Sequence, residues 1–181
     1  YPEKWYKNGI YEEVHDRLCQ EFMACQQVSL LAWMKEHHKE VYDNIQYAFS
    51  VKDYIRYRLT GEAYSEATDI SGSGLMNVRD ARFDRDILEK LEIGEVYDML
   101  PPIRYSCDLC GTITKEAAQL TGLLEGTKVA GGMFDIDACA VAVDITSPER
   151  MCTIAGTWSI NEYISRSEER RVGKECFGWC R

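Results

Sequence analysis

The segment Lys128 to Val143, KVAGGMFDIDACAVAV, constrains this chain most: a short apolar strand runs into paired glycines and then delivers one carboxylate, Asp135, to the start of a helix. Lys128, Val129 and Ala130 read as a buried strand end, Gly131 and Gly132 let the backbone pass close to a ligand, and Ala138 to Val143 is small and apolar enough to pack as a helix. Asp135 therefore falls where a strand meets a helix, the position at which open α/β sheets place their ligands. Further on, Thr153 to Ile164, TIAGTWSINEYI, reads as two strand-like runs joined at Gly156 and Thr157. A Gly-Thr turn of this kind aims backbone N–H groups and a hydroxyl at phosphate oxygens.

The rest of the chain reads as mixed α/β. From Ser29, apolar residues at Leu30, Leu31, Met34, Val41, Tyr42 and Ile45 keep a helical period, with a break near His38 that splits the run. Tyr47 to Leu59 reads as a short strand and a helix, with Asp53 as an early-turn acid and Gly61 just past the end. Asp84 caps Arg85 to Leu91, whose Ile87, Leu88 and Leu91 form an apolar stripe, before Pro101 and Pro102 stop regular structure. Thr114 caps a helix that closes at Gly122, and a turn through Gly126 leads to the Lys128 strand, a layered α/β arrangement. Thr68, Asp69 and Ser71 form a polar cluster of the sort that makes Asx and Ser/Thr turns.

These blocks resemble, in order, the FGGY family of carbohydrate kinases. The resemblance is carried by VSLLAWMKEHH at Val28 to His38, VKDYIRYRLTGE at Val51 to Glu62, TDISGS at Thr68 to Ser73, GTITKEAAQLTGLLEGTKV at Gly111 to Val129, GGMFD ending at Asp135, and AGTW at Ala155 to Trp158. The GGMFD and AGTW forms are most similar to the L-xylulose and xylulose kinase branch. The resemblance implies an α/β chain with a partial actin-like ATPase (ribonuclease H-like) fold. In that reading residues 1–146 belong to the N-terminal, sugar-binding domain and residues 147–165 open the C-terminal, nucleotide-binding domain. It also implies ATP-dependent phosphorylation of a sugar hydroxyl, with Asp135 as catalytic base, Gly156 and Thr157 on ATP, and Mg²⁺ as cofactor. The implied partners are a small sugar and ATP, and a homodimer of the intact enzyme is compatible with the resemblance. The same resemblance makes this chain a fragment, inactive alone. Arg166 to Cys176, RSEERRVGKEC, resembles translated sequencing-library adapter, so residues 166–181 are set apart as an artefact.

Composition narrows the alternatives. Twenty-one basic against 30 acidic residues give a net charge of −9 and leave no basic stripe for nucleic acid. No apolar run approaches the ~20 residues of a membrane span. Tyr1-Pro2-Glu3-Lys4 offers no initiator Met or signal peptide, which reads as truncation of a cytoplasmic protein. Of eight cysteines, Cys176 and Cys180 lie in the tail, and the other six are scattered, which favours reduced thiols. Cys107 and Cys110 form the one CxxC of the sequence outside that tail; a zinc site there wants a second Cys or His pair, so a surface loop after Pro101 and Pro102 is preferred to a zinc or redox module. His37 and His38, adjacent on a helix, point to different faces. No GxxxxGK[ST] precedes Lys128, which excludes a P-loop.

Each site residue also has a plainer role. Asp135 could cap a helix; Asp137, two residues on, reads as an early-turn acid facing another way; Trp158 reads as a packed strand residue. The rival function is a non-catalytic sugar-binding or regulatory protein on the same actin-like fold. A base at Asp135 favours the enzyme.

Overall fold

The computed structural model describes residues 1–156 and 159–164. Thr157, Trp158 and residues 165–181, the adapter-like tail among them, lie outside the described residues. The chain divides into two compact units, Tyr1–Gly132 and a shorter one from Met133 onward.

The first unit begins with helices α1 (Pro2–Lys7), α2 (Ile10–Leu18), α3 (Gln27–His37), α4 (Lys39–Tyr42) and α5 (Val51–Thr60). It continues through strand β1 (Ser65–Glu66), helix α6 (Ala67–Ile70), strands β2 (Met76–Asn77) and β3 (Arg82–Phe83), and helix α7 (Arg85–Lys90). A 3-10 helix (Gly94–Met99) follows, then β4 (Ile103–Arg104), β5 (Leu109–Thr112), α8 (Lys115–Thr121) and β6 (Lys128–Ala130). β1 pairs with β4 in parallel, while β2 with β3 and β5 with β6 are antiparallel.

Pro2 sits in the first turn of α1, where its missing N–H leaves no bond unmade. In α2, Val14 and Leu18 lie one turn apart and are both fully buried. Trp5 meets Phe22 with ring centroids 4.8 Å apart, and the same core takes in Val28 and Leu31 of α3 and Tyr42 of α4. The helix breaks at His38, as its sequence suggests, with φ −136 and ψ 50. Of the expected apolar face, Leu31 and Tyr42 are buried and Met34 and Ile45 pack against the core, but Leu30 and Val41 are exposed, and Val28 and Ala32 are buried in addition. The break resets the phase of α4, so one helical period does not run through both segments.

Expected caps are present. Asp84 accepts the Asp86 N–H at the start of α7, and Ile87, Leu88 and Leu91 fall in the core. Thr114 accepts from the Ala117 amide, and α8 closes on Gly122 in the left-handed region. Ser50 caps α5 by accepting from the Asp53 amide, and Gly61 (φ 75) closes it. Three expectations fail. Tyr47 to Ser50 is irregular, not a strand: Phe49 stacks on Tyr57 at 5.2 Å and the Ala48 amide donates to the Met99 carbonyl, which takes the place of a ladder. β6 is not a buried strand end, since Lys128 and Ala130 are exposed; β5 is its one ladder partner among the described residues. The CxxC is not one loop: Cys107 is exposed in a turn, and Cys110 is fully buried on β5.

The second unit contains α9 (Asp135–Ala142), β7 (Met151–Ala155) and β8 (Ser159–Tyr163). β7 and β8 form an antiparallel hairpin in unbroken register from Met151↔Tyr163 to Ala155↔Ser159. The two strand-like runs of the sequence are thus real, and α9 packs on both strands. No helix among the described residues is long and apolar enough to cross a membrane.

Candidate active site

The path to Asp135 is fixed by backbone. Gly131 follows β6; its amide donates to the Asp108 carbonyl at 3.0 Å, and the next amide, Gly132, donates to the Ser106 carbonyl at 3.1 Å. A Cβ at Gly131 would stand 2.3 Å from the Tyr105 carbonyl oxygen. The first glycine is therefore required by close approach to the protein's own backbone, where the sequence suggested approach to a ligand. Gly132 has φ +83, a conformation that L side chains rarely adopt. The pair thus lets the chain turn out of the β5–β6 ladder.

Asp135 is the first residue of α9 and is exposed. Its Oδ1 accepts the Ile136 amide at 2.9 Å, and Phe134 occupies the N-cap position without a side-chain bond. A carboxylate at the first position suits the positive end of the helix dipole, and here it is also open to solvent. Asp137 is half-buried and lines a cavity of about 240 Å³ together with Phe134, Ala140, Glu162 and Tyr163; Asp135 is not among the lining residues. Residues two apart on a helix do not share a face, and the two carboxylates separate accordingly.

Gly156 is exposed and opens the connection between β7 and β8, which spans residues 156–158 given the Ala155↔Ser159 pairing. Its partner in the sequence reading, Thr157, lies outside the described residues, as does Trp158. Asp135 and Gly156 thus stand on the two parts of one small unit, the helix start and the hairpin turn.

The first unit holds a charged cluster that sequence reasoning did not assemble. Asp53 is the early-turn acid its sequence suggests, and it is 0% exposed. Its carboxylate accepts from Arg56 Nη1 at 2.9 Å, Lys52 Nζ at 2.8 Å and the Glu66 amide at 2.8 Å. Glu66, also 0% exposed, takes the Thr68 amide at 3.0 Å, the Thr68 hydroxyl at 2.6 Å and the Ser106 hydroxyl at 2.9 Å. Burial pushes its pKa up, but these hydrogen bonds and the Lys52 charge outweigh burial and hold it below the ordinary value. Asp69 accepts the Ser50 hydroxyl at 2.7 Å; burial, only partly offset by that bond and by Lys52, raises its pKa. Thr68 and Asp69, expected in Asx or Ser/Thr turns, lie instead in helix α6, which Glu66 caps, and the Ser71 hydroxyl donates back to the Thr68 carbonyl at 2.8 Å. The i, i+3 spacing of Asp53 and Arg56 on α5 was the one signal of this cluster in the sequence.

Among the described residues no group of three or more His, Cys, Asp or Glu side chains could hold a metal ion. That is compatible with Mg²⁺, which is commonly held by one or two carboxylates plus the phosphates of a substrate rather than by a protein cage.

Solved structures supply the class. The chain superposes on the ligand-bound xylulose kinase of Lactobacillus acidophilus with a TM-score of 0.79 at 22% identity, covering 88% of this chain and 32% of that one. The xylulose kinase of Rhodospirillum rubrum gives a TM-score of 0.75 at 26% identity, covering 83% and 30%. The fold is the actin-like ATPase fold of the sugar kinases, present in part. Sequence relatives agree: the L-xylulose/3-keto-L-gulonate kinase of Escherichia coli (strain K12) is 36% identical over 163 residues, and the probable L-xylulose kinase of Pasteurella multocida 35% over 158. Those alignments cover 90% and 87% of this chain and 33% of each relative. Residues 1–142 match the N-terminal domain of the FGGY family of carbohydrate kinases, and the chain belongs to that family. It spans about a third of the length of the relatives it matches.

Proposed function

We propose that the whole protein transfers the γ-phosphoryl group of ATP to a hydroxyl of a sugar, a ketopentose such as xylulose, with Asp135 as the base. The observation that carries this reading is the exposed carboxylate of Asp135 at the first position of α9, directly after a glycine turn, in a chain of this family. The sugar oxygen attacks the γ-phosphorus, the bond to the β,γ-bridging oxygen breaks, ADP leaves, and the hydroxyl proton passes to Asp135. The base must come within about 2.6–3.2 Å of that hydroxyl in the productive complex. Positioning and charge neutralisation supply most of the rate in such transfers.

Gly156 and Thr157 are the residues we assign to phosphate oxygens, Gly156 because it is exposed where β7 ends and a Gly-Thr sequence there suits phosphate recognition by backbone N–H groups and a hydroxyl. Mg²⁺, when bound, would offset the charge of those phosphates. In this reading residues 1–146 belong to the sugar domain, residues 147–165 open the nucleotide domain, and the enzyme acts in the cytoplasm.

The test is ADP release by the full-length protein against a panel of ketopentoses, aldopentoses and hexonates. Sugar-dependent release with a ketopentose preference is expected. Sugar binding by calorimetry without any ADP release would replace the enzyme with a non-catalytic sugar-binding protein.

A further inference from the structure

The charged cluster of the first unit has a specific outlet. Arg56 Nη1 donates to the Gly131 carbonyl at 2.6 Å, its Nη2 donates to the Tyr64 carbonyl, and Lys52 Nζ stands 3.5 Å from the same Gly131 oxygen. Both cations are themselves held. Asp53 bonds each of them, and Glu66 and Asp69 lie 3.4 and 3.7 Å from Lys52 Nζ. Gly131 is thus gripped at its oxygen by cations and at its amide by the Asp108 carbonyl. Its neighbour Gly132 brings its open Cα face within 3.4 Å of the Lys52 side chain, measured to where a Cβ would stand.

A set of two cations and three carboxylates, with Arg56, Asp53 and Glu66 buried and Lys52 and Asp69 half-buried, is costly to assemble for stability alone, since packed apolar residues commonly do as well. What this set does that apolar residues cannot is hold one carbonyl oxygen from two directions. That oxygen lies at the point where the chain leaves the first unit, and Asp135 follows within a single short turn. We propose that Lys52 and Arg56 are positioning residues for phosphoryl transfer: they clamp the Gly131 carbonyl and so fix the take-off of the segment that presents Asp135. The proposal rests on the reading of Asp135 as the base. Misplacement of a reacting group by about 1 Å can cost on the order of 10²-fold in rate, so the clamp matters to kcat more than to binding.

The experiment uses the full-length protein with Lys52→Met, Lys52→Arg, Asp135→Asn and the double variant Lys52→Met with Asp135→Asn. Lys52 is chosen because its side chain is 27% exposed, whereas Arg56 is buried and its loss threatens folding. If Lys52→Met does not fold, Lys52→Gln serves for the same comparison. Steady-state kinetics are read beside hydrogen exchange of the Gly131–Phe134 amides. The expected result is a kcat lowered about 10- to 100-fold in Lys52→Met, with KM for sugar and ATP within about twofold, faster exchange in that segment, and substantial rescue by Lys52→Arg. In the double variant the Lys52 change should cost little beyond Asp135→Asn. Unchanged kcat and exchange in a folded Lys52→Met, with Asp135→Asn inactive, would overturn the clamp and leave the base standing. An active Asp135→Asn would overturn the base itself, and the clamp's stated purpose with it.

Discussion

Arg56 and Asp53 meet at 2.9 Å on one face of α5 with both side chains buried, the guanidinium at 4% exposure and the carboxylate at 0%. Deleting one member of such a pair leaves the other charge buried without its partner. Asp53→Ala is expected to destabilise the domain by about 3–5 kcal/mol, read as a lower midpoint in urea at unchanged slope. A loss under about 1 kcal/mol, the size of a surface pair, would show that water reaches the site.

The two glycines before Asp135 should respond differently. Gly131→Ala sets a Cβ 2.3 Å from a backbone oxygen, which no side-chain rotation relieves. Gly132→Ala meets only the flexible Lys52 chain at 3.4 Å and is strained chiefly by its φ of +83, a cost of about 1–2 kcal/mol. Melting curves should rank Gly131→Ala well below Gly132→Ala, and the reverse order would mean that the Tyr105 carbonyl moves easily.

Stability at low pH should depend on Glu66. Its folded pKa lies below the ordinary 4.5, so its ionised form contributes stability that is fully present above that value and is lost as pH falls through the folded pKa. Glu66→Gln lacks this contribution at any pH. The gap in Tm between the native protein and Glu66→Gln is therefore expected to narrow as pH drops below about 4.5. A gap constant from pH 7 to pH 3 would assign Glu66 to packing alone.

Thiol chemistry separates Cys107 from Cys110. Cys110 is buried on β5, and burial pushes its thiol pKa up, whereas Cys107 is exposed. Alkylation at neutral pH should label Cys19, Cys25, Cys107 and Cys139 first and Cys110 and Cys152 late. Equal rates at Cys107 and Cys110 would revive the redox reading.

Local chemistry was legible where it was punctuated. Asp84, Thr114, Gly61 and Gly122 announce the ends of α5, α7 and α8, and the Gly156 turn between two short apolar runs announces the hairpin. What escaped has physical causes. Helices α1 and α2 carried signals that went unread, Pro2 in a first turn and Ile10, Val14 and Leu18 at i, i+4 spacing. Tyr47 to Phe49 looks strand-like because aromatic residues suit strands, yet here the rings pack on Tyr57. The charged cluster joins residues from α5, β1, α6 and the turn at Ser106, a proximity that periodicity within one element does not report. Asp135 was singled out by the strand, glycine and helix order together with the family resemblance, whereas the use of Gly131 to pass the Tyr105 carbonyl required the fold.

The central claim is that Asp135, and not Asp137, takes the proton. Asparagine at position 135 keeps the shape and the bond to the Ile136 amide but cannot accept a proton. Steady-state kinetics of Asp135→Asn and Asp137→Asn in the full-length protein, with melting curves to show that both are folded, test this most directly. The account predicts that Asp135→Asn lowers kcat and kcat/KM together by about 10²–10⁴-fold with sugar affinity nearly intact, and that Asp137→Asn does far less. Near-normal turnover by a folded Asp135→Asn protein, or an equal collapse at Asp137, would contradict it.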